Sequence, residues 1–461
     1  MTDAYRAALR AFLDRSDYER GTIANPFGRD SSEAERGLAR TRAMLTHLGD
    51  PDRRYPIVHV AGSKGKGSTC AFLSTILSTA GLRTGRYISP HLHTLRERAA
   101  VNGESMSEDD FVRSFNLVLE AATAVEAARP ELGRVSAFEI STVMAFEQFA
   151  YSECDIAVIE VGLGGTWDAT NVVDPAISVI VLIDYEHTDI LGDTLAEIAE
   201  NKAGIIKPRR PVVSMAQHPD VMAVIRDTAE RNGSRLFVET DWFESEDWRE
   251  ARFEFDGDAI GPVKLGLTGY HQLRNAGLAV ITALLLHKFF ISNVLTEEHG
   301  ALITRTAIER GLASTTWPAR FEIVNQPGGA TIVIDGAHTG AAAQAVVDTL
   351  DQEFPGRPTE FVFGMLGAKD IDRMLMHLKR RSDHIALVAA TNPRAMSVET
   401  MSTAAEALGL STIPETNLRI AIENAIERAG EQGIVVVTGS ISFAAEAREI
   451  LGLATTERLV L

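Results

Sequence analysis

The stretch that most constrains this chain is Tyr55 to Gly81, YPIVHVAGSKGKGSTCAFLSTILSTAG. It reads as a strand, a glycine-rich loop and a helix. Ile57 to Val60 form a short apolar run that ends at Ala61-Gly62, as a buried strand would. Leu73, Ile76, Leu77 and Ala80 then recur with the spacing of one helix face. Gly81 is placed to end that helix, because glycine accepts the left-handed conformation cheaply. Between them lies Gly62-Ser63-Lys64-Gly65-Lys66-Gly67-Ser68-Thr69. Three glycines let backbone N–H groups converge on an anion, and a helix N-terminus adds partial positive charge. Lys66 can reach terminal phosphates, and the Ser68 hydroxyl can take a place on Mg²⁺. The string departs from the common G-x-x-x-x-G-K-[ST] form, since Gly67 separates the lysine from the hydroxyl. The plain alternative is a flexible turn. Two lysines flanked by glycines just before a good helix favour a nucleotide phosphate.

The 461 residues are 45% hydrophobic and 23% charged, the balance of a soluble globular protein with two or three domains at most. A formal net charge of -18 argues against nucleic acid or an anionic membrane as partner. It leaves room for an anionic small molecule, because a few local Lys and Arg can dominate a cleft. The two cysteines, Cys70 and Cys154, have no metal or redox spacing and fit a reducing compartment. The first twenty residues are charged and helical in character, so no secretory signal is expected. The longest apolar run, Ala276 to Leu286, is shorter than the ~20 residues that span a bilayer. A cytoplasmic protein is expected.

The sequence predicts helices over Thr2–Glu19 and Ser32–Leu48, with a loop over Gly21–Asp30. Asn102-Gly103 marks a turn, and Ser107 with Asp110 a helix start. A helix follows over Val135–Ala150. Ile156–Ile159 and Ile177–Ile183 read as buried strands, and such strands separated by helices indicate a parallel sheet covered on both faces. Further helices are expected over Leu191–Gly204 and Tyr270–Phe290, with short strands and turns over Asp241–Gly269. A boundary is expected near Trp317-Pro318-Ala319-Arg320. Beyond it a β-α-β pattern restarts, with strands near Ile332, Phe361, Ile385 and Val435.

Three polar features sit where parallel strands end: the phosphate loop after Val60, Glu160 after Ile159, and His187 after Ile183. Ligands collect beyond the carboxyl ends of strands in open α/β sheets. Glu160 is a hard oxygen ligand suited to Mg²⁺, or else a carboxylate capping the next turn. His187 stands in the Asp-rich turn Asp184-Tyr185-Glu186-His187-Thr188-Asp189, as a ligand or as a packed turn histidine. Lys202, taken from its neighbours alone, reads as a solvated partner of Glu197 or Glu200. Asp335-Gly336-Ala337-His338 follows another apolar run and reads first as a tight turn with a helix cap.

Seven stretches in order carry a family pattern: HVAGSKGKGS (His59–Ser68), SPHL with a following ER and NG (Ser89–Gly103), EVGLGGTWDATNVV (Glu160–Val173), HTDILGDTLAEIAENKAGIIK (His187–Lys207), HQLRNA (His271–Ala276), WPARFE (Trp317–Glu322) and DGAH (Asp335–His338). From about Ser32 to the C-terminus the chain resembles folylpolyglutamate synthase and the bifunctional dihydrofolate synthase of the Mur ligase superfamily. The resemblance implies an α/β protein with an N-terminal P-loop-type ATPase domain, mainly parallel in its sheet and carrying folate-binding elements, over residues 1–317. It implies a smaller, Rossmann-like C-terminal glutamate-ligase domain over 318–461.

The resemblance also implies site residues. Gly62, Ser63, Gly65, Lys66, Gly67, Ser68 and Thr69 would hold the ATP phosphates. Ser68, Glu160 and His187 would bind Mg²⁺, with two metal sites sharing Glu160. Lys202 matches a family lysine that can be carbamylated, and Lys66, Glu160, His187 and Lys202 form the implied catalytic set. Asn275 and Arg320 would contact ATP, Arg320 from the linker. Asp335 and His338 match residues that meet the nucleotide across the family's interdomain cleft. Ser89, Pro90 and His91 lie where the family shapes the folate end. The chain departs from the family's usual Thr-Asn at Ser63-Lys64, which adds a cation beside the phosphates. It also departs from Asn-Pro at Thr339-Gly340, near the region expected to handle the incoming amino acid.

The implied reaction joins L-glutamate to a folate or dihydropteroate carboxylate through an acyl phosphate, releasing ADP and phosphate. The implied enzyme is a monomer with small-molecule partners and no nucleic-acid or membrane partner. Two rivals stand beside it: a Mur-type ligase joining a different acid and amino acid, and a nucleotide-binding regulatory module without turnover. The combination of Lys66, Glu160, His187 and Lys202 speaks against the module, which does not need all four.

Overall fold

The computed structural model describes residues 1–16, 31–239, 247–289, 299, 302–325, 329–367, 370–455 and 457. The chain divides into two compact units. The first comprises Met1–Leu265 and Arg274–Thr315; the second comprises Gly266–Leu273 and Thr316–Glu457.

In the first unit, eight strands among the described residues form one sheet. They are β1 (Ile57–Ala61), β2 (Thr84–Tyr87), β3 (Ala99–Val101), β4 (Glu104–Ser105), β5 (Ile156–Glu160), β6 (Ile177–Ile180), β7 (Val212–Met215) and β8 (Leu236–Glu239). Their order is β4-β3-β2-β5-β1-β6-β7-β8. All pairings from β2 to β8 are parallel, while β3 and β4 run antiparallel at one edge. Every residue of β1, β5, β6 and β7 is buried, so these strands are mainly apolar rather than alternating, with one buried polar residue each: His59, Glu160, Ser178 and Ser214. The Asn102-Gly103 turn joins β3 to β4, with both residues at positive φ. A separate antiparallel pair, β9 (Ala251–Phe255) and β10 (Asp258–Val263), lies in the stretch expected to hold short strands.

Local chemistry sets the helix starts. Ser107 caps Glu108–Ala128, accepting from the Asp110 amide. Ser136 and Glu139 form a reciprocal capping box at Ala137–Tyr151. Two expectations shift. The helix expected from Leu191 is two: Thr188–Leu191 ends before Gly192 at φ +115°, and Leu195–Ala203 starts on a Thr194–Glu197 capping box. The strand expected to reach Ile183 stops at Ile180. Beyond it the Leu182 carbonyl takes Ser63 and Lys64 amides, and the Ile183 amide donates to Gln217. The loop at Gly21–Asp30, the helix end at Glu19, the start of the Asp241–Gly269 stretch and Phe290 lie outside the described residues.

In the second unit a six-stranded sheet is ordered β11-β12-β16-β13-β14-β15. The strands are β11 (Glu322–Val324), β12 (Thr331–Ile334), β13 (Thr359–Phe363), β14 (His384–Leu387), β15 (Ser411–Pro414) and β16 (Ile434–Thr438). Among the described residues only β11 is antiparallel to its neighbour. Val333, Val347, Phe361, Phe363 and Val436 anchor its core.

Candidate active site

β1 ends at Ala61, and the helix Lys66–Thr79 begins five residues later, so the loop proper is Gly62–Gly65. Gly67, Ser68 and Thr69 belong to the helix's first turns, earlier than the apolar spacing indicated. Gly62, at φ +146°, passes so close to β6 that a Cβ would stand 2.2 Å from Val181 Cγ2 and 3.0 Å from its carbonyl oxygen. Gly65 caps the helix at φ +95°, and a Cβ there would stand 2.2 Å from Asn275 Oδ1. Asn275, from the Tyr270–Phe289 helix, therefore lies directly on the loop.

The Ser63 and Lys64 amides donate to the Leu182 carbonyl at 2.7 and 3.1 Å, and Ser63 Oγ donates to the Asp184 carbonyl at 2.9 Å. The loop is thereby fastened to the turn that follows β6. Lys66 Nζ donates back to the Gly62 carbonyl at 2.9 Å. Lys202 Nζ, 1% exposed, donates to the same carbonyl at 2.9 Å and to Glu186 Oε1 at 2.7 Å. This overturns the reading of Lys202 as a solvated partner of Glu197 or Glu200. Glu197 instead takes the Thr194 amide and hydroxyl, and Lys202 points inward from its helix. Lys64 Nζ stands 3.7 Å from Glu186 Oε2.

The charges respond to this crowding. Burial, reinforced by Lys66 and Lys64, brings the Lys202 amine down to about 8 against the pull of Glu186. Burial raises Glu186, but Lys66, Lys202 and Lys64 outweigh it and hold the carboxyl at about 2.

Glu160, 6% exposed, closes β5, and its Oε2 accepts the Ser89 amide at 3.3 Å. Ser89, the first of the three residues Ser89, Pro90 and His91, is thus tied to the strand-end carboxylate. Arg98 Nε donates to His91 Nδ1 at 3.2 Å, and burial next to Arg98 depresses His91 to about 3. Glu97 holds the rest of this loop by accepting the Leu92, His93 and Thr94 amides at 2.8–2.9 Å. His187 is exposed and caps the Thr188–Leu191 helix at φ +46°.

Mg²⁺ keeps several waters and takes one or two carboxylates together with phosphate oxygens. The buried Glu160 carboxylate and Ser68 hydroxyl, 4% exposed beside the phosphate loop, are hard oxygen donors of that kind, so the residues fit the ion. Among the described residues no three His, Cys, Asp or Glu side chains come together as a ligand set.

Arg320, Asp335 and His338 come together within the second unit. Asp335, 8% exposed, accepts the Phe321 and Ala337 amides at 2.7 Å, and burial raises its carboxyl despite Arg320. Helix capping falls to Thr339, not Asp335. His338 Nδ1 is 2.9 Å from the Gly336 carbonyl, and a Cβ on Gly336 would stand 2.9 Å from Arg320 Nη1. The Gly340 amide donates to Asp370 Oδ2 at 2.6 Å, a bond that a proline there could not make.

Sequence reasoning passed over Glu186 and Glu97. Glu186 had a visible signal, its place directly before His187 in an acidic turn. Glu97 had one too, the Thr94-x-x-Glu97 spacing of a capping box within the quoted ER stretch.

Comparison with known proteins gives a consistent set. The Mur ligase middle domain matches residues 60–283, and the Mur ligase glutamate ligase domain matches 319–441. The Bacillus subtilis dihydrofolate synthase/folylpolyglutamate synthase is 32% identical over 425 residues, covering 90% of this chain and 95% of that protein. A Halobacterium salinarum protein described as a probable bifunctional folylpolyglutamate synthase/dihydropteroate synthase is 34% identical over 422 residues, and the match spans 49% of its length. Among solved structures, Mycobacterium tuberculosis folylpolyglutamate synthase complexed with ADP and AMPPCP superposes with a TM-score of 0.82 at 32% identity, over 90% of this chain and 95% of that one.

Proposed function

The chain belongs to the folylpolyglutamate synthase/dihydrofolate synthase family of Mur-type ligases, and from that premise we propose how its residues share the work. The enzyme is an ATP-dependent ligase that adds glutamate to folates. The observation that carries the assignment of parts is the convergence of Lys66 and Lys202 on the Gly62 carbonyl, where β1 ends.

A folate carboxylate attacks the γ-phosphate of ATP to give an acyl phosphate and ADP; the glutamate amine then displaces phosphate and forms the amide. Phosphoryl transfer needs position and electrostatic support more than covalent help. The loop amides and Lys66 supply that support to the phosphates, and Asn275 bounds the nucleotide side of the loop. The Ser89–Glu160 hydrogen bond sets the folate end in register with the strand-end carboxylate. Ser68, Glu160 and His187 would hold Mg²⁺, which when bound neutralises phosphate charge. Arg320, Asp335 and His338 contribute nucleotide contacts from the second unit. Residues 1–317 and 318–461 divide ATP and folate binding from glutamate ligation.

Lys202 is suited to carbamylation: an amine near 8 is partly neutral at physiological pH, and the neutral amine attacks CO₂ with loss of one proton. The product would replace a cation with an anion beside Gly62. A ¹³C-bicarbonate carbamate signal, absent in Lys202→Arg, is the expected result.

Dihydropteroate and tetrahydrofolate are both proposed as acceptors, and the working form as a cytoplasmic monomer. Among the described residues no helix is long and apolar enough to cross a membrane. The test is ATP-dependent incorporation of labelled L-glutamate with each acceptor separately. Incorporation with both establishes the bifunctional enzyme, and with tetrahydrofolate alone a polyglutamate synthase. No incorporation with either refutes both and favours the second reading, a Mur-type ligase for another amino acid, which rests on the Gly340–Asp370 contact. Lys66→Ala should abolish ligation; full activity in that variant would sink the scheme.

A further inference from the structure

Arg274 stands beside Asn275 in HQLRNA and has no part in the division of labour above. From the start of the Tyr270–Phe289 helix its guanidinium meets the carboxyl ends of two strands. Nε donates to Glu239 Oε1 and Oε2 at 3.4 and 3.3 Å. Nη2 donates to Glu239 Oε2 at 3.0 Å and to the Ala216 carbonyl at 2.6 Å. Glu239 is the last residue of β8, and Ala216 directly follows β7. The Glu239 side chain is 1% exposed; burial raises its carboxyl, while Arg274 and the Ala216 amide pull it back. Gln217 comes next. Its Oε1 accepts the Ile183 amide at 2.7 Å, and its Nε2 donates to the Val181 carbonyl at 3.1 Å. Between those two residues lies Leu182, whose carbonyl takes the Ser63 and Lys64 amides. Two sides of the phosphate loop therefore lead back to Ala216-Gln217. Ser63 and Lys64 do so through Leu182, and Gly65 through Asn275 and the helix that Arg274 anchors.

We propose that Arg274 is a positioning residue for the nucleotide, fixing its helix to the ends of β7 and β8 so that Asn275 stands against Gly65 in register with the phosphate loop. The inference rests on the ligase reading and deepens it. The division of the chain shows why an anchor belongs at this point. Gly266–Leu273 belongs to the second unit, and Arg274 is the first residue of the helix that belongs to the first. The hold of the first unit on this helix thus begins at Arg274, one residue before Asn275. A guanidinium suits the task, because its planar fork meets a carboxylate and a carbonyl at once in fixed geometry, which a point-charge ammonium does not. Removing it strands a buried carboxylate and takes a donor from the Ala216 carbonyl. The helix start then loosens and Asn275 leaves its place at Gly65. The deficit falls on nucleotide binding rather than on amide formation.

The test measures ATP affinity by calorimetry, KM and kcat for ATP, and urea unfolding. The variants are Arg274→Met, Arg274→Lys, Asn275→Ala, and Arg274→Met with Asn275→Ala. Methionine keeps an unbranched stem and removes the fork. Arg274→Met and Asn275→Ala should each weaken ATP about tenfold, the scale of losing a hydrogen bond to a charged group. KM should rise far more than kcat falls, and Arg274→Lys should regain part of the loss. The double variant should bind ATP no more weakly than Asn275→Ala alone, because Arg274 acts through Asn275. An arginine that only braces the sheet would lower the urea midpoint and leave ATP affinity at the wild-type value, and that result overturns the inference. Losses that multiply in the double variant overturn it too, as does wild-type affinity in Asn275→Ala. If Arg274→Met does not fold, Arg274→Lys and Glu239→Gln carry the test, and an unchanged KM for ATP in both overturns it. A wild-type protein that binds no ATP would instead overturn the ligase reading.

Discussion

Gly65→Ala separates two roles that glycine plays in the phosphate loop. The first is conformational: Gly65 sits at φ +95°, where a side chain costs about 1–2 kcal/mol. The second is spatial. The new Cβ would stand 2.2 Å from Asn275 Oδ1, 3.1 Å from its Cγ and 3.4 Å from its Nδ2. Asn275 is 4% exposed, so its amide cannot yield into water. Displacing a buried polar group from its place costs about 1–3 kcal/mol more. Gly81 supplies the internal control. It has nearly the same φ, +96°, and a Cβ there would meet nothing within 4 Å. Gly81→Ala should therefore cost about 1–2 kcal/mol, and Gly65→Ala about 2–5 kcal/mol.

The assay is urea unfolding of the first unit, paired with calorimetric titration of ATP. Gly65→Ala should lose more stability than Gly81→Ala and should also weaken ATP about tenfold, the value of ~1.4 kcal/mol. Gly81→Ala should bind ATP normally. Adding Asn275→Ala to Gly65→Ala should recover the steric part of the stability loss without restoring ATP affinity. Equal destabilisation by the two glycine variants, with ATP affinity intact in both, would refute the placement of Asn275 as the wall of the phosphate loop.

Acid should destabilise both units through neutral histidines, His59 fully buried and His91 and His271 half-buried. Burial depresses His59 and His91 to about 3 and His271 to about 4, so below pH ~6.5 the unfolded chain takes up protons that the folded chain refuses. Their contribution is complete above pH ~6.5 and falls by about 1.4 kcal/mol per pH unit for each histidine until the folded value is reached; His59→Asn should flatten the pH slope of the first unit's stability. Arg40, 4% exposed, grips Glu139 through two bonds of 2.7 and 2.9 Å and also reaches Glu33 and the Leu132 carbonyl. Arg40→Met should cost about 3–5 kcal/mol in chemical unfolding, and Arg40→Met with Glu139→Leu should recover most of it, because the large cost is the stranded carboxylate. Gly340→Pro should lower the melting temperature of the second unit by the equivalent of about 1–3 kcal/mol, although proline is usually welcome at the first position of a helix. There it would remove the amide bonded to Asp370 and bring its Cβ position to 2.7 Å from Arg373 Cβ.

What could be read in the sequence was whatever depends on near neighbours. Strand, loop and helix at Tyr55–Gly81 follow from apolar spacing and glycine. The β3–β4 turn follows from Asn102-Gly103, and the helix after Ser107 from a hydroxyl three residues before a carboxylate. Lys202 failed that kind of reading. Its helix offered Glu197 and Glu200 at close spacing, but its partner is Glu186, sixteen residues away across a chain reversal. Seven motifs in order recovered the importance of Lys202 without supplying the contact, because a motif records which residue stands where and not what it touches.

The contact itself follows from the sheet. β1 and β6 are adjacent and parallel, so the segments leaving their carboxyl ends emerge side by side. Gly62 lacks the Cβ that would press on Val181, which lets the two segments close, and Leu182 then receives two loop amides. Once they are joined, the segment after β6 lies against the loop after β1; Asp184 turns its carboxylate to the Tyr185 amide, while Glu186 sets its own between Lys64 and Lys202. Glu186 fills that position, and its charge matters more than its order in the chain. The phosphate loop is therefore a two-strand structure: Gly62 to Lys66 supplies amides and two cations, while Leu182 to Glu186 supplies the acceptor and the anion that hold them in place. A variant that lengthened the segment between Ile180 and Glu186 by one residue would leave every loop residue unchanged and should still lose ATP affinity. Retained affinity in that insertion would mean that the loop holds its own shape.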